Sequence, residues 1–286
     1  MTVLLLLAVI FFFSTKGSSS ENAGNDQPSM SSFLNSSLPD TSQPDNEEVA
    51  APDRNPKIVF DIPSPLKNEP EQILVRKGYI VSYNYKNKLP NWVAWHLTAD
   101  HLDGGAKRPG NGWHEDYDVP EPRAVSSDYK KCGWTRGHMC PAGDNKWDSE
   151  AMYESFLYTN CCPQHNDLNT GPWNQIEIAC RKWAKQYGDI YIVCGPVLFR
   201  QRHQLIGMNE VVVPEAFFKV VLCLHDSQPK GIGFICRNNA GKQKKDLFVN
   251  SISQVERVTG MTFFPHLSEK TAAIVKNQAN LKDWEP

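Results

Sequence analysis

The sequence predicts an α+β protein, with a central antiparallel or mixed sheet flanked by helices, and three observations lead there. Residues 190–198, 217–224 and 231–236 are runs of β-branched and aromatic side chains bounded by Gly, Pro or Asp, the pattern of buried strands. Residues 148–158, 173–187, 251–259 and 268–280 read as helices. The two kinds of element do not alternate in the rhythm of βαβ units, which argues against a parallel sheet.

In chain order, residues 3–13 are apolar and precede Ser-Thr-Lys-Gly-Ser-Ser-Ser, which reads as a signal peptide over residues 1–20. The run is short for a membrane-spanning helix, and a retained N-terminal anchor is the alternative to cleavage. The stretch before it is almost absent and lacks Lys or Arg, so a truncated start is expected. The implied location is secreted or periplasmic, with no stable membrane association after cleavage. Residues 21–56 are rich in Ser, Asn, Asp, Glu and Pro. They carry too little apolar surface to offset the entropy of ordering, so a disordered linker is expected. Residues 57–286 then form one domain, since no second linker divides them.

Linker acidity distorts the formal charge of -2. Of 32 acidic and 30 basic side chains, residues 1–56 hold 7 and 2, leaving 25 and 28 for the domain. That mild excess of +3 suits a protein that gathers its arginines locally and argues against a strongly basic, tight-binding nucleic-acid module. The eight cysteines lie between Cys132 and Cys236 and fit an exported protein with disulfides. Cys161 and Cys162 are adjacent and would strain to pair together, so each is expected to seek a distant partner. Zinc on Cys132, His138 and Cys140 is the weaker reading, because no C-x-x-C spacing is present.

Residues 134–145 read WTRGHMCPAGDN. In an extended segment Arg136 and His138 point to the same side, so a guanidinium and an imidazole would face one target. A phosphodiester suits that pair: the planar guanidinium matches phosphate oxygens, and histidine can take a proton from water near neutral pH. Residues 158–181, YTNCCPQHNDLNTGPWNQIEIACR, run from a polar, turn-rich stretch into the helix of residues 173–187. Pro172 suits its first turn, and Trp173, Ile176, Cys180 and Trp183 share the stripe expected to be buried. Glu177 and Arg181 are four apart on a second stripe, with Asn160 and Asn169 in the loop before it. On their own these last four would be an intrahelical ion pair and two turn asparagines.

The order R-G-H, T-N-x-x-P-Q, N-x-G-x-W, E-x-x-x-R resembles the DNA/RNA non-specific endonucleases of the His-Me finger (ββα-metal) class. The N-W-V-A of residues 91–94, Arg108 in GGAKRPGNGWHEDYDVP and VTGMTFFPHL at residues 258–267 extend the likeness over about residues 70–266. The resemblance implies a ββα-metal finger beside the sheet, with His138 as general base and Asn169 as the direct protein ligand of a divalent ion, magnesium or manganese in its place. It implies further that Glu177 holds water around the ion, that Asn160 orients the base or its loop, and that Arg108, Arg136 and Arg181 contact phosphate. The family most often has D-R-G-H where this chain has Thr135, and a hydroxyl is expected to brace the finger less firmly than a carboxylate.

Magnesium prefers oxygen, keeps several waters and is often held by few protein groups plus substrate phosphates. One amide oxygen, one carboxylate and the scissile phosphate meet that need. No Asp/Glu spacing near these motifs supplies the carboxylate cluster of a two-metal site. The expectation is an exported, magnesium-dependent endonuclease acting on DNA and RNA, leaving 5′-phosphate ends by resemblance. Little sequence preference and steep salt sensitivity are expected, since phosphate contacts carry no sequence information and no recognition helix, zinc finger or stacking platform is evident. A catalytically silent nucleic-acid-binding domain and a phosphodiesterase acting on small nucleotides are the alternatives. Nothing in the chain marks an oligomer interface.

Overall fold

The structure, a computed structural model, describes residues 62–224, 228–239 and 241–285. The expected signal peptide, the linker and the first residues of the domain lie outside the described residues. In chain order the elements are β1 (Gln72–Val75), β2 (Ile80–Asn84), β3 (Leu89–Thr98), β4 (Thr135–His138), α1 (Ser149–Glu154), β5 (Cys161–Gln164), the single turn α2 (Asn166–Leu168) and α3 (Asn174–Tyr187). They continue with β6 (Asp189–Val197), β7 (Gln204–Ile206), β8 (Val211–Val213), β9 (Ala216–Cys223), β10 (Lys230–Arg237), β11 (Val249–Asn250), α4 (Ile252–Thr259) and α5 (Glu269–Val275).

Seven strands form one sheet in the order β1-β2-β3-β6-β9-β10-β11, and every neighbouring pair is antiparallel. The three runs read from the sequence are β6, β9 and β10. Alternation along β9 divides its side chains between two cores. Phe217, Val221 and Cys223 join Trp173, Ile176, Cys180 and Trp183 in the core under α3. Phe218, Val220 and Leu222 join Ile252, Val255 and Val275 of α4 and α5 on the opposite face. The apolar stripe predicted for α3 is therefore buried. Each such large side chain contributes roughly 1.5–3 kcal/mol on leaving water. α3 packs across β3 and β6, while β4 pairs only with β5, outside the main sheet. With α3 these two strands make the ββα unit.

Two helices are shorter than the sequence suggests. Asp148 caps α1 by accepting from the Glu150 and Ala151 amides. The chain then leaves the helix because His114 captures it, donating to the Phe156 carbonyl (2.9 Å) and accepting from the Tyr158 amide (3.0 Å). After α5 the Lys276 carbonyl accepts from the Ser253 amide (2.8 Å), drawing the chain toward the start of α4.

The disulfide expectation is corrected. Cys132, Cys140, Cys161, Cys162, Cys180, Cys194 and Cys236 are free thiols, all but Cys132 buried. Cys161 and Cys162 form no disulfide with a described residue; they fill core space on β5 as small apolar residues, Cys161 meeting the Tyr129 hydroxyl at 3.5 Å. No described helix is long and apolar enough to cross a membrane.

Candidate active site

β4 carries the R-G-H triplet because its partner β5 presses on it from one side. Arg136 lies opposite Pro163, and His138 opposite Cys161. A Cβ on Gly137 would overlap the Gln164 side chain, so only glycine lets the two strands approach. Arg136 and His138 do emerge on one side, toward a common aromatic wall. The His138 ring lies 4.3 Å from Trp113 and 4.8 Å from Phe156, and Trp113 stacks in turn on Tyr158. Arg136 donates to the Tyr158 hydroxyl (3.0 Å) and the Ser126 carbonyl (3.1 Å), so much of its donor capacity serves the fold.

Burial, with the Arg108 charge nearby, pushes the His138 imidazole from 6.5 down to about 3. The ring is neutral at physiological pH. Its Nε2 has neither open surface nor a hydrogen-bond partner. Asn160, fully buried, clamps the segment after His138: it accepts from the Cys140 amide (2.8 Å) and donates to the Cys140 and Ser155 carbonyls (both 2.8 Å). It touches the loop after His138 rather than the ring.

Asn169 stands at the start of a wide helical turn, Asn169–Trp173, between α2 and α3, not in an open loop. Its Nδ2 meets the Thr135 hydroxyl at 3.1 Å and the Arg136 carbonyl at 3.5 Å. The Thr135 hydroxyl already donates to the Gln164 carbonyl (2.8 Å), so toward Asn169 it can only accept. Both neighbours are acceptors, which fixes the NH₂ inward and turns Oδ1 away from β4. The hydroxyl is thus hydrogen-bonded on both sides.

Glu177 on α3 makes no hydrogen bond or ion pair with a described residue. Burial raises its carboxyl from 4.5 to about 7, against the pull of Lys219, Arg181 and Arg108 and with a push from Asp144. The intrahelical pair with Arg181 does not form. Arg181 reaches instead to buried Asp144 (3.0 Å), lying over Gly143, where a Cβ would come within 2.9 Å of the guanidinium. The other Asp144 oxygen accepts from Trp95 Nε1 (3.1 Å). Beneath them Lys219 of β9 is buried between Trp173 (4.5 Å) and Trp95 (5.1 Å). Burial opposes its charge, but Cys194, Glu177, Cys180 and Asp144 outweigh that and hold its pKa above the ordinary lysine value. Arg108, by contrast, is exposed, its guanidinium 5.8 Å above the Phe156 ring.

Sequence reasoning missed Asp144, Lys219, Trp113 and Phe156. A lysine inside the apolar run AFFKVVLC was the readable signal for one of them. Among the described residues no group of three or more His, Cys, Asp or Glu could hold a metal. The donors at this site are hard oxygens, the outward Asn169 Oδ1 and the unbonded Glu177 carboxylate. They fit a hydrated magnesium or manganese ion better than a fully protein-ligated one.

Known proteins resemble this chain in sequence and in fold. Nuclease EXOG, mitochondrial, of Danio rerio is 37% identical over 208 residues, 68% of this chain and 61% of that protein. The Homo sapiens protein of that name is 35% identical over 206 residues, with 66% of this chain and 56% of the relative covered. The chain thus spans about three fifths of the length of these relatives. Nuclease C1 of Cunninghamella echinulata var. echinulata is 33% identical over 213 residues, 69% of this chain and 84% of the relative. The crystal structure of the EndoG/EndoGI complex superposes with a TM-score of 0.68 at 25% identity, over 73% of this chain and 92% of that one. Residues 60–270 match the DNA/RNA non-specific endonuclease family, to which this chain belongs.

Proposed function

We propose that the chain is a magnesium-dependent endonuclease that hydrolyses phosphodiester bonds of DNA and RNA with little sequence preference, His138 acting as general base. The observation that carries the reading is a neutral imidazole at the end of β4, the strand that also pins Asn169 with its amide oxygen turned outward. With Nε2 sealed, Nδ1 is the nitrogen that takes the proton from the attacking water. Arg108, exposed beside the base, meets the phosphate oxygens, and Arg136 and Arg181 use donors not spent on Tyr158, Ser126 and Asp144. Asn169 Oδ1 would hold the cation and Glu177 would hold water around it. The bound cation supplies neutralisation of charge developing on the phosphate. Asn160 keeps the base's loop in place.

Export is proposed on the apolar run 3–13 alone, now that the cysteines lend it no support. An organelle is the alternative, by likeness to relatives named mitochondrial. Plasmid nicking tests the activity, with and without EDTA, in the parent and His138→Ala. A parent inert on polynucleotide in magnesium ends the nuclease reading. Cleavage that survives the alanine change removes His138 as base.

A further inference from the structure

We propose that Lys242 and Lys244, on the loop after β10, bind backbone phosphates flanking the cleaved bond, extending the substrate track beyond the scissile phosphate. The inference rests on the nuclease reading for its substrate and on separate observations for its place.

The loop is built against the turn that carries Asn169. Gly171, two residues beyond Asn169, lies so near that a Cβ on it would sit 3.4 Å from the Lys242 Cα and 3.6 Å from the Gly241 carbonyl oxygen. Gln175 in the first turn of α3 fastens the loop on both sides of Lys244, donating to the Gln243 carbonyl (3.3 Å) and accepting from the Lys245 amide (3.1 Å). The backbone of the two lysines is therefore fixed next to the candidate cation site rather than trailing into solvent.

The three lysines of this loop divide by role. Lys245 is 17% exposed and pairs with Glu285 (2.6 Å) and Asp246 (3.3 Å), tying the loop to the C-terminal segment. Lys242 is 72% exposed, with only a 4.0 Å approach to Asp167, an exposed pairing worth about 0–1 kcal/mol and readily exchanged. Lys244 is exposed and makes no ion pair with a described residue. Two ammonium groups without a firm partner, held next to a site that takes a phosphodiester, suit the next phosphates of a polyanion. Their long stems tolerate either sugar and any base.

The test is equilibrium binding of a short fluorescein-labelled DNA duplex in EDTA, read by anisotropy across a salt series. Parent, the Lys242→Ala/Lys244→Ala double variant and the corresponding double arginine variant are compared. Each lost phosphate contact should flatten the slope of log Kd against log salt by about 0.9, so the alanine double variant should lose about 2 and bind several-fold more weakly, while the arginine variant keeps the parent's slope. In magnesium, KM for plasmid should rise with kcat unchanged, and cleavage of bis(p-nitrophenyl) phosphate should not change. An unaltered slope and KM overturn the proposal, as does a parent that binds no duplex. A parent that binds with a lysine-dependent slope yet never cleaves sinks the nuclease reading and leaves the lysine contacts standing.

Discussion

Replacing Thr135 by valine keeps the shape of the side chain and removes one hydroxyl, which isolates the device that orients Asn169. Two hydrogen bonds go, the donation to the Gln164 carbonyl (2.8 Å) and the acceptance from Asn169 Nδ2 (3.1 Å). What still holds the amide is a 3.5 Å contact with the Arg136 carbonyl, at the limit of a hydrogen bond. The amide is then free to turn over, and a turned amide offers a cation two N–H donors in place of an oxygen. One such bond contributes about 1 kcal/mol net, and loss of a group that orients a metal ligand typically lowers metal affinity about 10–100-fold. The expected result is an apparent magnesium Kd raised about tenfold, equal to about 1.4 kcal/mol, with kcat at saturating magnesium close to that of the parent. Two assays read it: magnesium titration of plasmid cleavage, and calorimetric titration of manganese into the protein without nucleic acid. Thr135→Ser should restore both, because it keeps the hydroxyl. A valine variant within twofold of the parent, or a serine variant as weak as the valine, would refute the argument.

His138 carries a pH signature in stability. Its folded pKa, about 3, lies below the unfolded value of 6.5, so its neutral burial destabilises the fold progressively as pH falls from 6.5 toward 3. Glu177 works the other way: raised to about 7 from 4.5, it takes up its proton in the folded state first and favours the fold as pH falls from about 7 to 4.5. His138→Phe, measured by urea unfolding in EDTA, should therefore gain stability relative to the parent by about 1 kcal/mol for each unit below pH 6.5. A difference between the two that does not move with pH contradicts the buried neutral imidazole. Lys219→Met removes the cation between the two tryptophans and leaves Asp144 and Glu177 less compensated, so unfolding should become easier by about 3 kcal/mol or more. Thermal melts showing less than about 1 kcal/mol of loss would mean that this charge is not held by its neighbours.

What was legible was local. The pairing of Arg136 with His138 on one side follows from strand periodicity, and the buried face of α3 from helical periodicity. Glu177 and Asn169 stand out only through the family resemblance, since on their own they read as an ion-pair member and a turn asparagine. What was not legible depends on residues brought together from afar. Asp144 and Arg181 are 37 positions apart and appear as a pair only when the loop after β4 folds onto α3. Trp113 and Phe156, 43 positions apart in sequence, meet each other and the His138 ring only once their two segments are hydrogen-bonded together. Neither β1 nor β2 was read as a strand, because each is short, four and five residues, and runs into turn-rich chain. The cysteines were misjudged because composition reports how many thiols exist but not which of them the sheet brings within bonding distance.

Lys219 has a consequence for how the sheet is assembled. It sits in the middle of an otherwise apolar strand, paired across from Cys194 on β6, on the face that looks toward α3. A slip of β9 by a single position would swing its ammonium to the other side, among Val255, Phe263 and Phe264, and away from Asp144 and Glu177. Misaligned sheets would thus carry a stranded charge that the correct one does not. The same side chain that lies under the candidate site would thus also proofread strand alignment as the protein folds.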